Sequence, residues 1–256
     1  MTTSKDNIDQ TVKLIINADD YGISLPVNNA IDHCLKNSII NSASVMVNAP
    51  HFNDACQRIS GSGYEELLGI HINLTEFKPV TDFACKEVLD DKGCWNKDKI
   101  SHFRLLNNRS FTTALKKEIQ AQVDIFLSTG LVPAHINTHH HCHTFPWMLP
   151  FFTDLSGRMQ VPLRIALTTP TGNRLKSFYR SVSNWYIRSR GLAFSDYFEN
   201  KYTYGEKAGK IKNGTVEIMV HPVFNEQNEL VDTLDQKPLQ QFLPPISKNP
   251  NAKKTS

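Results

Sequence analysis

Four apolar runs of strand length in this chain each close on a residue that can hold a metal or move a proton, and helical patterns separate them. They are Leu14-Ile15-Ile16-Asn17-Ala18-Asp19-Asp20, Leu67-Leu68-Gly69-Ile70-His71, His135-Ile136-Asn137-Thr138-His139 and Glu217-Ile218-Met219-Val220-His221. Strands alternating with helices imply a parallel sheet, because a parallel neighbour is reached only by a crossover connection. Folds of that kind gather their chemistry at the carboxyl ends of the strands. The recurrence therefore predicts one site assembled from several strand ends.

The intervening sequence supports this reading. Ser24 suits a helix cap, with Pro26 in the first turn and Val27, Ala30, Ile31, Cys34 and Leu35 as the apolar stripe. A second strand is expected over 42–48, a short helix from about His51, and a third strand over 67–74, which makes βαβαβ. Residues 75–110 carry little periodicity and are expected to leave the scaffold and shape the site. A helix with Leu115, Ile119, Val123, Phe126 and Leu127 on one face stops at Gly130. Another strand is expected over 161–167. The strand over 215–220 is followed only by a short helix over 237–243. Residues 1–243 are read as a single domain and 244–256 as a flexible tail.

Between residues 155 and 195 there are seven Arg or Lys and no Asp or Glu. There Leu175, Phe178, Tyr179, Val182, Trp185 and Tyr186 recur at helical spacing, which predicts an inward apolar face and a solvated basic one. The sharper reading is attraction of an anionic ligand or a nucleic acid phosphate. The chain's net charge of +3 is too small to argue for nucleic acid by itself. A polar start without an export signal, and no run of about 20 apolar residues, lead to the expectation of a cytoplasmic protein with no membrane partner. Five cysteines at irregular spacing fit free thiols.

Five of the nine residues from 135 to 143 are histidines. Neutral imidazole offers a nitrogen lone pair to zinc and similar metals. His135 and His139, or His139 and His143, would share a face if the segment were helical. Pro133 and the β-type run at Ile136 argue for a strand instead, so His139, at its end, is the preferred ligand. Cys142 has no second cysteine close in sequence to complete a thiolate site. Asp19 and Asp20 can both turn toward one cavity where strand becomes loop, or can serve a cap or turn. His71 and His221 each suit either a core histidine or a working one. One carboxylate and two imidazoles can hold a divalent cation with positions left open. A second carboxylate can accept a proton from water, and an imidazolium opposite can protonate a departing amine. The plan suits hydrolysis of an amide or ester.

In these stretches the sequence resembles the YdjC family of carbohydrate deacetylases, the group that includes chitooligosaccharide deacetylase. The resemblance is carried by Asn17-Ala18-Asp19-Asp20-Tyr21-Gly22 (the family usually has Phe at the fifth place), Gly69-Ile70-His71-Ile72-Asn73-Leu74-Thr75, residues 135–143, and Glu217 to Pro222. It implies an α/β fold of the distorted, TIM-like (β/α) barrel type. Asp20, His71 and His139 become the metal ligands, with magnesium and zinc both suited, and Asp19 the catalytic base. His221 falls at the family's histidine near the site, as acid or substrate-positioning residue. Arg164, in a family-like Leu-Arg-Ile segment, is taken as orienting the base or ligand or as substrate-binding, His141 as substrate-binding, and Trp95 and Trp147 as surfaces on which sugar rings could stack. An N-acetylated sugar is the implied substrate, acetate a product. Two departures stand out. Asn137 occupies a place where many relatives have Asp, so a charge behind the ligands is lost. The chain also ends soon after His221, which would leave a barrel incomplete and makes a homodimer a candidate state. Other functions consistent with the residues are hydrolysis of a phosphoester and sugar binding without catalysis.

Overall fold

The structure is a computed structural model that describes residues 12–101 and 108–244. Strand β1 (Val12–Tyr21) runs through the middle of a six-stranded parallel sheet. Helix α1 (Leu25–Lys36) follows, capped by Ser24 with Pro26 in its first turn, and buries the stripe read from the sequence. Strand β2 (Ser42–Val45), helix α2 (Phe52–Ile59) and strand β3 (Leu68–Ile72) complete the first βαβαβ unit. Both strands are shorter than expected. The register of β1 against β2 shifts between Ala18 and Tyr21, and pairing ends at Val45. Gly22 makes the turn out of β1 possible: its φ is +114°, and a Cβ there would stand 2.9 Å from the Met46 carbonyl oxygen.

The excursion after β3 contains the short helix α3 (Lys97–Ile100) and part of it, 102–107, lies outside the described residues. Its first turn is tied to helix α4 (Arg109–Ser128) through two buried polar side chains. Gln122 bonds the backbone of Asn73 on both sides, and the Glu118 carboxylate accepts from Val80 N, Thr81 N and the Thr81 hydroxyl. Leu127, expected on the buried face of α4, is exposed instead. Trp95 and Trp147 are core residues, packed edge-on against Phe83 and tilted against Phe111, so neither presents a face to a sugar.

Strand β4 (Ile136–Thr138) runs into a tight 3-10 turn, His139–Thr144, followed by helices α5 (Leu149–Met159) and α6 (Arg174–Ser189). Then come strand β5 (Tyr197–Asn200), helix α7 (Lys201–Lys207) and strand β6 (Gly214–Val220). The strand order is β4-β3-β2-β1-β6-β5. The strand expected over 161–167 does not form as a continuous ladder, because Pro162 lacks an N–H and the Ala166 backbone is bonded to the side chain of Asn184. It nevertheless links the sheet's two edges: Arg164 N donates to Ile136 O at 2.9 Å, Leu163 N to Leu192 O at 2.7 Å, and Thr168 N to Phe198 O at 2.9 Å. The sheet is thus curled around a lumen into which Arg164 points, fully buried.

Beyond β6, an antiparallel hairpin of β7 (Pro222–Phe224) and β8 (Leu230–Asp232) stands where no strands were expected. The anticipated helix over 237–243 is a single 3-10 turn, Leu239–Gln241. Of the expected tail, residues 245–256 lie outside the described residues. Helix α6 also departs from expectation, since its apolar stripe faces outward. No described helix is long and apolar enough to cross a membrane, and all five cysteines are free.

Candidate metal and proton-transfer site

Three strand ends deliver the predicted ligands to one place. Asp20 leaves β1 with φ 69°, a left-handed backbone that a non-glycine residue adopts at some strain. That twist lets Asp19 and its neighbour both point inward instead of to opposite faces. His71 stands in β3, in register with Asn137 of β4. His139 follows β4 immediately, where His140 and His141 are both left-handed, with φ 51° and 54°. Asp20 Oδ1 lies 3.2 Å from His71 Nε2 and 2.9 Å from His139 Nδ1. These are contact distances, yet Asp20 Oδ1 and His71 Nε2 are buried without a hydrogen-bond partner. Ligand atoms that converge without bonding one another are the arrangement a cation would complete. One carboxylate oxygen and two imidazole nitrogens form a donor set suited to a divalent cation of the zinc class, with open positions left for water and substrate.

Two residues stand behind these ligands. Glu76, at the start of the excursion, lies with its Oε2 3.0 Å from His139 Nε2, so His139 is held by a carboxylate on its far side. Burial opposes a charge on His139, but the Asp20 carboxylate beside its ring and the Glu76 carboxylate bonded to it raise its pKa to about 9. Asn137 stands behind His71 with its side chain 2.6 Å from His71 Nδ1. Its amide has two settings. With Oδ1 on His71, its NH2 faces the Arg164 guanidinium. Turned over, Oδ1 accepts from Arg164 at 3.0 and 3.2 Å and from Ser44 at 2.7 Å, and the NH2 donates to His71 Nδ1.

Asp19 lies deeper. Arg164 grips it with two bonds, Nη1 to Oδ2 at 2.7 Å and Nη2 to Oδ1 at 2.8 Å, and Asn17 donates to Oδ1 at 2.7 Å. Burial would raise the Asp19 pKa, but the adjacent guanidinium outweighs it and holds the carboxyl well below the usual range. Arg164, expected to orient the base or ligand or to touch substrate, is wholly buried, stacked over Phe198 at 4.6 Å, and shared between Asp19 and Glu217, whose Oε1 accepts from Nε at 2.7 Å. Burial, only partly offset by Arg164, pushes the Glu217 carboxyl up to about 7, and its Oε2 has no partner.

The other imidazoles divide. His135 lies over Gly69, where a Cβ would meet its ring at 2.3 Å, stacks on Phe194 and touches Ser44. Burial lowers its pKa to about 3, so it is a neutral core residue. His143 is likewise buried, with Nδ1 at the Thr138 hydroxyl. Cys142 is buried, its thiol pushed up to about 12 by desolvation, and it belongs to neither group of converging candidate ligands among the described residues. His140 is exposed, and rests against Thr75 and His139. His141 is half-buried between His143 and Phe198, its pKa lowered to about 3 by burial and then by Arg164. His221 is half-buried at the end of β6, close enough for a charge on it to act on Asp19. Its backbone N–H is tied to Asp232 in the hairpin, and its Nδ1 has no partner.

Glu76, Asn137 as a hydrogen-bonding partner of His71, and Glu217 as a partner of Arg164 are the contributors that strand periodicity did not reveal. Glu76 follows the β3 motif in a segment without pattern, and the Asn73 side chain, which accepts from Glu76 N at 3.0 Å and donates to Glu76 O at 2.7 Å, turns it back toward His139.

The family described as YdjC-like protein matches residues 13–250 of this chain. Among known proteins, a carbohydrate deacetylase of Halalkalibacterium halodurans is 28% identical over 84% of this chain and 87% of its own length. One of Thermoanaerobacter pseudethanolicus is 29% identical over 86% and 84%. Among solved structures, an Enterococcus faecalis protein described as a cellobiose-phosphate cleavage protein superposes with a TM-score of 0.64 at 22% identity. That match covers 84% of this chain and 82% of the other, and bears on the fold alone.

Proposed function

The chain belongs to the YdjC-like family, and on that footing we propose that it is a carbohydrate deacetylase that removes acetyl groups from N-acetylated sugars with the help of a divalent cation. Relatives named carbohydrate deacetylase over most of its length support the activity. The observation that carries the cation is the meeting of Asp20 Oδ1, His71 Nε2 and His139 Nδ1 without hydrogen bonds between them. We also read the curled sheet, with its edges linked through residues 162–168, as a distorted barrel of the TIM-like kind and the whole as one domain.

Asp20, His71 and His139 would hold the cation. When bound, it polarises the acetyl carbonyl and makes a water more acidic. Asp19 takes the proton of the attacking water as the water oxygen adds to the acetyl carbon. Arg164 fixes the orientation of Asp19 and keeps it ionised. The low basicity this imposes would suit a water that a cation held by Asp20, His71 and His139 made more acidic. His221 delivers a proton to the sugar nitrogen as the carbon–nitrogen bond breaks, so that acetate and a free amine leave. Arg164 acts through Asp19, and His141, next to Phe198, lines the substrate side.

Acetate release from N,N′-diacetylchitobiose tests the reading, using protein stripped with chelator and refilled with zinc, manganese or magnesium. The expected result is release that returns with one of these cations. Release from none of a panel of acetylated sugars, or turnover of phosphomonoesters instead, would overturn it.

A further inference from the structure

Helix α6 is attached to the molecule by the wrong face for a buried amphipathic helix. Its inward residues are Ser183, Asn184 and Ile187, and Asn184 bonds both backbone groups of Ala166 at 2.7 and 2.8 Å. Its outward residues are Leu175, Phe178, Val182 and Trp185, exposed to 77, 68, 45 and 67%. At about 100° per residue they fill an arc roughly 80° wide, opposite the buried residues, along a helix about 24 Å long. Leu, Phe, Val and Trp in one outward stripe form a contiguous apolar patch of the kind that marks an interaction surface.

The charges around the stripe select the occupant. Arg174 and Arg188 border it on one side and Arg190 on the other, with Lys176 and Arg180 farther round. None of these five forms an ion pair among the described residues, and the sequence has no carboxylate between Asp154 and Asp196. A second copy of this chain docked antiparallel across the stripe would set Arg174 against Arg188 and Arg190 of its partner, like charge on like. An anionic lipid surface meets both halves of the pattern, since a Trp and Phe stripe with cationic flanks and no acid suits the boundary between headgroups and acyl chains.

We propose that the outward face of α6, Leu175, Phe178, Val182 and Trp185 with Arg174, Arg188 and Arg190, docks this protein on an anionic membrane surface. This departs from the expectation of no membrane partner, and it stands apart from the activity proposed above. Tyr179, on the same helix, donates to the Thr144 carbonyl at 2.8 Å, at the end of the turn that begins with His139.

The test is partition of the full chain onto vesicles of phosphatidylcholine alone and of phosphatidylcholine with phosphatidylglycerol in equal parts. Trp95 and Trp147 are buried, so a change in tryptophan emission on adding vesicles reports Trp185. The expected result is partition and a blue shift with the anionic vesicles only, weakened by salt. The double variant Phe178→Glu/Trp185→Glu loses at least about ten-fold in partition, and Arg174→Ser loses about five-fold, while both melt at the parent temperature. Equal partition onto neutral vesicles, no partition at all, or retained partition in both variants would overturn the proposal. So would a dimer in solution that Phe178→Glu/Trp185→Glu converts to monomer, because a second copy would then be the occupant.

Discussion

Replacing Asn137 by Asp is expected to tighten divalent-cation binding by roughly 10–100-fold. The Asn137 amide has two neighbours with competing demands. Arg164 and Ser44 approach one of its ends to 2.7–3.2 Å, and His71 Nδ1 approaches the other at 2.6 Å. When Oδ1 serves Arg164, the NH2 donates to His71 Nδ1, and the imidazole proton sits on Nε2, the atom that faces Asp20. A cation needs that nitrogen bare. The amide must then turn, give Oδ1 to His71 Nδ1–H, and set its NH2 against a guanidinium. The turn forfeits about one buried hydrogen bond from a charged donor, on the order of 1–3 kcal/mol, which corresponds to that range of affinity. A carboxylate accepts from both neighbours and needs no turn. It also adds a third carboxylate around Arg164, beside Asp19 and Glu217, which should lower the melting temperature of the metal-free protein. Calorimetric titration of chelator-stripped Asn137→Asp with zinc, together with melts in the presence and absence of metal, reads both effects. An affinity equal to or weaker than that of the parent would refute the reasoning.

The remaining predictions concern the same cluster. Asp19→Asn is expected to retain its cation, measured by elemental analysis, and to lose about 10²–10⁴ in turnover. Turnover at the parent level would remove Asp19 as the base. Glu217 contributes stability while it is protonated, because its folded-state pKa of about 7 lies above its usual 4.5. That contribution is complete below about pH 4.5 and is lost as pH rises through 7, a change of about 3 kcal/mol. Denaturant melts of Glu217→Gln should lack this component of the pH profile, and an unchanged profile would count against it. Cation affinity should rise about ten-fold per pH unit from neutrality to about pH 9, since the proton held by His139 must leave. A titration series with no slope over that interval would show that His139 is not a ligand.

Much of the fold was legible because periodicity reports which face of an element is buried. The stripes of α1 and α4 and the apolar run of β1 satisfy that logic, with Leu127 as the exception. The linker over 161–167 was not legible, because its pairing is decided by Pro162 and by a bond from Asn184 on another element. The hairpin of β7 and β8 is too short to carry a period. Helix α6 shows most plainly what periodicity leaves open. A stripe at helical spacing fixes that one side is apolar, and the bonds of Asn184 and Tyr179 with the burial of Ile187 determine which way that side turns.

The site divides along the same line. Which residues could meet was readable from strand ends, because parallel strands in register bring their carboxyl ends level: Ala18 pairs with Val220, and Ile72 with Thr138. Asp19, Asp20, His71, His139 and His221 each stand within two residues of those pairs. What each residue does there depends on partners that no period encodes. Two adjacent aspartates acquire opposite settings, since Asp20 turns through a left-handed backbone toward two imidazoles while Asp19 is gripped by Arg164. Arg164 in turn is placed by the irregular segment that crosses from one sheet edge to the other. The contact that joins the sheet's edges is therefore also the one that seats the guanidinium on Asp19. Loosening the run at Leu163 should disturb Asp19, which Arg164 grips directly, before it disturbs Asp20, His71 and His139, which stand in β1, in β3 and just after β4 and meet that run only through the pairing of Ile136.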